Sequence, residues 1–130
     1  MARRASKHPT ELELEILKVL WEHGPLTVRH TRDALADFRD LAYTSVITVM
    51  NIMVDKGYLA RKKEGASYIY RPLITQTATR KRMLKDLVNR AFDGSTAAAM
   101  VNLLESADLD EAEVERIRNL LNGKSGGSRP

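Results

Sequence analysis

Residues 43–57 decide the fold, and they read Tyr43-Thr-Ser-Val-Ile-Thr-Val-Met-Asn-Ile-Met-Val-Asp-Lys-Gly57. Apolar side chains at Val46, Met50 and Met53 recur every three or four residues, which is the spacing of one face of an α-helix. Gly57 predicts the end of this helix, because glycine readily takes the left-handed conformation that closes one. The opposite face then carries mainly small hydroxyl side chains.

A β-hairpin is predicted directly after this helix. The segments 58–63 and 67–71 are rich in strand-forming residues, and Gly65 between them supplies a turn. Pro72 closes the hairpin. The first strand is basic and carries Arg61, Lys62 and Lys63.

Two helices are predicted upstream of this pair. Thr10 and Glu13 have the spacing of a capping box, which places the first helix over about 10–23. The second is expected over about 28–37, with Phe38 on its inward face. Three helices followed by a hairpin form a winged helix-turn-helix, whose third helix enters the major groove of DNA.

The outward side chains of the third helix suit DNA contact. Thr44, Ser45 and Thr48 let the backbone approach closely and offer hydroxyl groups to phosphates and base edges. An alternative is that Thr44 and Ser45 only cap the helix. The cations Arg61, Lys62 and Lys63 are predicted phosphate contacts, with a solvated strand end as the alternative.

Three further amphipathic helices are predicted after Pro72, over about 75–92, about 96–105 and from about 108 to Gly123. About 50 residues bury too little apolar surface to form a stable hydrophobic core alone, so pairing with a second chain is expected. The alternative is a monomer whose three additional helices pack on the winged helix-turn-helix. The predicted dimerisation residues are Leu84, Leu87, Val88, Phe92, Met100, Val101, Leu104, Ile117 and Leu120.

The expected fold is therefore mainly α with a small β-hairpin. A flexible basic arm is predicted at 1–8, a winged-helix DNA-binding domain at 9–72, a helical dimerisation region at 73–122 and a disordered tail at 123–130. The arm is basic, but no apolar stretch follows it as in a secretory signal, and no apolar run is long enough for a membrane helix. A cytoplasmic protein without membrane insertion is expected.

The composition argues against catalysis and cofactor binding. The chain has no cysteine, which excludes disulfides and thiolate metal sites, and its three histidines lack metal-ligand spacing. No phosphate-binding glycine loop and no grouped nucleophile and base are present. We therefore predict no catalytic residue, no metal site, no cofactor and no enzymatic activity. The net charge of +4 is modest but agrees with binding of nucleic acid.

Several segments resemble the penicillinase-repressor family, of the BlaI/MecI/CopY type. They are 13–21, ending in Leu-Trp, 43–50, 55–59 and 63–70. The resemblance spans roughly residues 8–122. It implies a homodimer that binds an inverted repeat of TACA and TGTA half-sites through positions corresponding to Tyr43, Thr44, Ser45 and Thr48.

The same resemblance implies a sensor protease as a further partner. In the β-lactam-responsive members, cleavage at an Asn-Phe bond in the dimerisation region releases the repressor from DNA. Asn102 and Leu103 stand at the matching place, with leucine instead of phenylalanine. The copper-responsive members use a C-terminal cysteine motif, which this chain lacks. Ile52 stands where relatives place a basic residue.

Two other functions remain open from the sequence. One is a winged-helix regulator that a small-molecule ligand releases from DNA. The other is a protein-interaction module in which Ile47 and Ile52 make the third helix partly apolar.

Overall fold

The computed structural model describes residues 8–127 and contains six helices and one two-stranded antiparallel sheet in that range. It confirms the predicted fold class, a winged helix-turn-helix followed by further helices. In chain order the elements are α1 (Glu11–His23), α2 (Val28–Leu35), α3 (Tyr43–Asp55), β1 (Leu59–Glu64), β2 (Ser67–Pro72), α4 (Gln76–Ala91), α5 (Thr96–Ser106) and α6 (Glu111–Gly127).

The predicted capping box begins α1. The Thr10 hydroxyl accepts from the Glu13 amide at 3.2 Å, and the Thr10 amide donates to Glu13 Oε1 at 2.9 Å. Glu13 is buried, and its Oε2 also accepts from Lys56 Nζ at 2.9 Å. One carboxylate therefore both caps α1 and fastens the C-terminal end of α3 to it, which orients α3.

The core lies among the first three helices and the hairpin. The predicted inward residues of α3, Val46, Met50 and Met53, are fully buried. They pack with apolar side chains from the other elements of this unit, which are Ile16, Leu17, Leu20, Val28, Leu35, Tyr58, Leu59 and Tyr70. Close-packed burial on this scale is the main stabilisation of a small domain.

The hairpin is joined to the helices by backbone hydrogen bonds. Tyr70 and Leu26 bond to each other in both directions, with the Tyr70 amide 2.8 Å from the Leu26 carbonyl oxygen. After the hairpin, Trp21 Nε1 donates to the Ile74 carbonyl oxygen at 2.9 Å. Strand β2 and the residues that follow it are thus anchored to α1 and the segment after it.

Two helix ends differ from the prediction. Helix α2 ends at Leu35, and Phe38 lies in the following turn with 41% of its surface exposed, so its predicted inward position was wrong. Helix α6 continues past Gly123 to Gly127. Gly123 has no left-handed backbone, and a glycine ends a helix only when it takes that conformation. Residues 128–130 of the predicted tail lie outside the described residues.

The chain divides into two compact units, and the division falls between Asp86 and Leu87, within α4, rather than after residue 72. Residues beyond the hairpin belong to the first unit, as the Trp21–Ile74 bond and the buried Thr79 indicate. Residues 1–7 of the predicted arm lie outside the described residues. His8 is described, and its Nε2 lies 3.1 Å from Asp86 Oδ2. No helix in the described range is long and apolar enough to cross a membrane.

Candidate nucleic-acid interface

Helix α3 exposes the predicted outward side chains Thr44, Ser45 and Thr48, and it also exposes Tyr43 and Ile52. Its N-cap is Ala42, which makes no side-chain capping hydrogen bond. The alternative role of Thr44 and Ser45 as the N-cap is therefore wrong. Their hydroxyl groups stand at an uncapped helix N-terminus, where the helix dipole favours a phosphate.

The hydroxyl of Thr48 already donates a hydrogen bond within the protein. Its Oγ1 donates to the Thr44 carbonyl oxygen at 2.8 Å, within the exposed turn of α3. A hydroxyl has one hydrogen to donate and two lone pairs to accept. Thr48 can then accept from a base amino group or place its methyl group against a thymine methyl, but it does not donate to a phosphate in this rotamer.

The wing cations do not share one environment. Arg61 pairs with Tyr70 across the ladder and Lys63 pairs with Tyr68, so these four side chains lie on one face of the hairpin, and Lys62 lies on the other. Arg61 Nη1 donates to Asn51 Oδ1 of α3 at 2.5 Å, and its guanidinium stands 5.0 Å from the centre of the Tyr68 ring. Lys62 and Lys63 are exposed.

The two tyrosines of β2 also differ. Tyr70 is buried in the core, and its hydroxyl donates to Asn51 Oδ1 at 2.8 Å. Tyr68 is exposed and forms the cation–π contact with Arg61.

An open groove of about 810 Å³ runs between α2, α3 and the hairpin. Tyr43 and Ile47 line it from α3, and Ser67 and Tyr68 line it from the hairpin turn. The third wall, on α2, was not predicted from the sequence, and it carries the basic side chains Arg29, His30 and Arg32. The signal was available, since Arg29 and Arg32 are three residues apart and are therefore neighbours on the surface of α2.

The opposite end of α3 carries a small charged cluster beside the core. Lys56 Nζ lies 5.8 Å from the centre of the Tyr58 ring and bonds to Glu13. Burial, and then the negative charge of Glu13, raise the pKa of Tyr58 above its ordinary value of 10.0. This cluster fixes the end of α3 that is remote from Thr44. Within residues 8–127, no group of three or more histidines and carboxylates is placed to hold a metal ion.

The second unit leaves most of its apolar side chains in solvent. Within residues 87–124, whose side chains the structure describes, Ala99 alone is buried. Of the predicted dimerisation residues, Val88, Phe92 and Ile117 are half-buried. Leu84, Leu87, Met100, Val101, Leu104 and Leu120 are exposed, together with Leu103, Val114 and Leu121, which were not among the predicted set.

The predicted cleavage site lies inside a helix. Asn102 and Leu103 are exposed in α5, and the Asn102 carbonyl oxygen accepts from the Ser106 hydroxyl at 2.8 Å. The Leu103 carbonyl oxygen accepts from the Ala107 amide at 2.8 Å. A protease that reads an extended backbone would need this turn of α5 to unwind.

Comparison with known proteins gives consistent matches over nearly the whole chain. The sequence profile described as penicillinase repressor matches residues 9–123. A transcriptional regulator named BlaI from Mycobacterium tuberculosis is 33% identical over 123 residues, covering 92% of this chain and 88% of that protein. The methicillin resistance regulatory protein MecI of Mammaliicoccus sciuri is 24% identical over 112 residues, covering 86% and 91%. Among solved structures, a MarR family protein from Bacillus stearothermophilus aligns with a TM-score of 0.48 and 21% identity, covering 93% of this chain and 76% of that one.

Proposed function

This chain belongs to the penicillinase repressor family, and on that premise we propose that it represses transcription by binding an inverted-repeat DNA operator as a homodimer. Members of this family are transcriptional regulators and not enzymes, in agreement with the prediction from the sequence. The proposed site of action is the cytoplasm, where the operator DNA would be.

The observation that carries the proposal is the uncapped, exposed N-terminal face of α3 beside a basic hairpin. Tyr43, Thr44, Ser45 and Thr48 are proposed to read base edges and adjacent phosphates. Lys62 and Lys63 on the wing are proposed phosphate contacts, because both are exposed and cationic. Arg29 and Arg32 on the groove wall supply further positive charge to the same side of the first unit.

The homodimer is proposed from the exposed apolar side chains of the second unit, together with Leu84 at the end of the first. A soluble protein rarely leaves a large contiguous apolar patch in water, and such a patch marks an interface. We propose that a second copy covers Leu84, Leu87, Met100, Val101, Leu104 and Leu120, with Val88, Phe92 and Ile117 at its edge. A two-fold dimer would present two α3 helices to the two half-sites of an inverted repeat.

Proteolytic release is proposed at the Asn102–Leu103 bond. The bond lies between the proposed interface residues Val101 and Leu104, so cleavage would cut through the interface of both copies. Mass spectrometry of the intact chain, from a host with a family sensor protease, would give two fragments after induction. An Asn102→Ala chain would stay whole. If the wild-type chain and the Asn102→Ala chain were both recovered uncut, a signal other than cleavage at this bond would release the repressor from DNA.

The operator proposal is tested by fluorescence anisotropy with a labelled duplex containing a TACA/TGTA inverted repeat and with a scrambled duplex of equal length. We expect two chains per duplex, a preference for the repeat, and affinity that falls steeply with salt, since bound phosphates release counterions. Equal affinity for both duplexes would mean that the operator has a different sequence. The next measurement would then be recovery of bound genomic fragments.

Two results of the same titration would support the alternatives instead. Absence of salt-dependent binding to any duplex would favour a protein-interaction module. Specific binding that a small molecule abolishes, with the chain intact, would favour a ligand-released regulator.

A further inference from the structure

Asn51 bonds the recognition helix to both strands of the wing. Its Oδ1 accepts from Arg61 Nη1 of β1 at 2.5 Å and from the Tyr70 hydroxyl of β2 at 2.8 Å. An amide oxygen has two lone pairs, so these two donors use its full accepting capacity. The oxygen therefore fixes α3, β1 and β2 relative to one another.

The hairpin register explains why both donors reach one atom. Arg61 and Tyr70 are directly opposite each other in the antiparallel ladder, so their side chains leave the sheet on the same face. That face turns toward α3, since Tyr70 is 1% exposed and belongs to the core. Tyr68, two residues along β2, lies under the Arg61 guanidinium and holds it from a second side.

Arg61 thus differs from its neighbours in the basic run. Its charged group already has a hydrogen-bond acceptor and an aromatic ring as partners before any DNA is present. Lys62, one residue along, leaves the sheet on the opposite face and is exposed. The two cations have equal charge, but only one of them is held by α3.

We propose that Asn51 and Arg61 are positioning residues, which set the distance of the wing from the recognition helix, and that Arg61 acts through Asn51 rather than by neutralising a phosphate. The inference rests on the proposed operator binding and deepens it. The clamp holds the hairpin beside α3 before DNA binds, with the wing lysines placed to reach the DNA backbone. Without the clamp the hairpin moves in the free protein, so the same phosphate contacts form only at the cost of ordering the hairpin. Affinity then falls while the number of phosphate contacts stays the same.

The test is a double-mutant cycle on operator binding with Asn51→Ala, Arg61→Ala and the double variant, measured over a range of salt concentrations. Each single substitution is expected to weaken binding roughly tenfold. The double variant should bind no more weakly than the weaker single variant. The slope of log affinity against log salt should stay at the wild-type value for Arg61→Ala.

The matched control is Lys62→Ala, which removes the same charge from the adjacent position without touching Asn51. A lost phosphate contact lowers the salt slope by about 0.9 for each wing, or about 1.8 for a dimer on a full operator. We expect that reduction for Lys62→Ala. The same reduction for Arg61→Ala, additivity with Asn51→Ala, or unchanged affinity would each overturn the positioning role.

A measurement without DNA separates this inference from the operator proposal. Hydrogen exchange of the β1 and β2 amides should accelerate severalfold in Arg61→Ala and in Asn51→Ala, and remain at the wild-type rate in Lys62→Ala. Tyr70→Phe removes one of the two donors without opening a cavity and should give an intermediate rate. Unchanged exchange in Arg61→Ala would exclude the clamp even if operator binding is as proposed. Accelerated exchange with no salt-dependent DNA binding would support the clamp and exclude the operator proposal.

Discussion

The two compact units of this chain differ in the burial of their apolar residues. In the first unit, Ile16, Leu17, Val46 and Met50 are fully buried against one another. In the second, within the part whose side chains are described, Ala99 at 6% exposure is the only buried residue. Most leucines there are exposed to solvent, and Leu87 is 53% exposed.

This difference shows that amphipathic helices do not make a core by themselves. The helices of the first unit close around a hairpin, which supplies Leu59 and Tyr70 to fill the space between them. Helices α5 and α6 also carry apolar side chains, but no β-strand lies among the described residues of the second unit. The first unit therefore contains its own stabilisation, whereas we expect the second to obtain it from another copy of the chain.

The largest expected effect comes from a charge placed on the exposed apolar surface of the second unit. Leu87→Glu should convert a dimer into a monomer, weakening association by about 100-fold or more, because the carboxylate would be desolvated in the interface. Sedimentation velocity measures it. Leu73→Glu is the matched control, since Leu73 is 50% exposed in the first unit and should leave the dimer intact. Equal sedimentation of both variants and wild type would exclude this interface.

A cavity in the core of the first unit should have the next largest effect. Leu17→Ala removes a fully buried side chain and should lower the free energy of unfolding by about 2–5 kcal/mol. The matched substitution Leu120→Ala, at an exposed position, should act only through the dimer. Thermal unfolding at several protein concentrations separates them. The loss of stability in Leu17→Ala should be independent of protein concentration. A concentration-dependent loss would mean that the core of the first unit also depends on association with a second copy.

Removal of the reading hydroxyls should cost less. Ser45→Ala combined with Thr48→Ala should reduce discrimination between operator and scrambled DNA by about 1–3 kcal/mol per lost base contact. Thermal stability should hardly change, because both side chains are exposed. Thr77→Ala is the control, as an exposed threonine on α4. If the double variant still distinguished operator from scrambled DNA as well as the wild type does, α3 would not be the helix that recognises the base sequence.

The smallest expected effect is on the pH dependence of the first unit. The folded state raises the pKa of Tyr58 above 10.0, so it holds the phenol proton more tightly than the unfolded chain does. This contribution to stability is complete below pH 10.0 and is lost as the pH rises above it. Tyr58→Phe should unfold with a shallower loss of stability in that alkaline range, measured by urea unfolding. An unchanged dependence would mean that Tyr58 does not contribute.

Local patterns predicted most of the first unit. The spacing of Val46, Met50 and Met53 identified the buried face of α3, and the Thr10–Glu13 pair identified the start of α1. Both signals lie within one or two helical turns, so sequence spacing alone determines the contact. Gly123 was misread because a glycine reports a helix end only through its backbone conformation, which composition does not reveal.

Contacts between distant positions were beyond the sequence. Asn51 meets residues 10 and 19 positions away, and Trp21 bonds to a carbonyl 53 positions away. The division of the chain inside α4 follows from such long-range contacts, since the residues after Pro72 pack on the first unit. Arg61 was grouped with Lys62 and Lys63 because the alternation of side chains along a strand does not show which face of the hairpin packs against α3.

The carboxylate of Glu13 has a consequence for sequence variation in this chain. It accepts hydrogen bonds from both the Thr10 amide and the Lys56 ammonium. A replacement at position 13 therefore changes the bonding partner of both residues. We expect positions 10, 13 and 56 to covary, although position 56 lies at the end of α3 and the other two lie at the start of α1. A combinatorial library that aims to alter α3 should therefore randomise these three positions as one set.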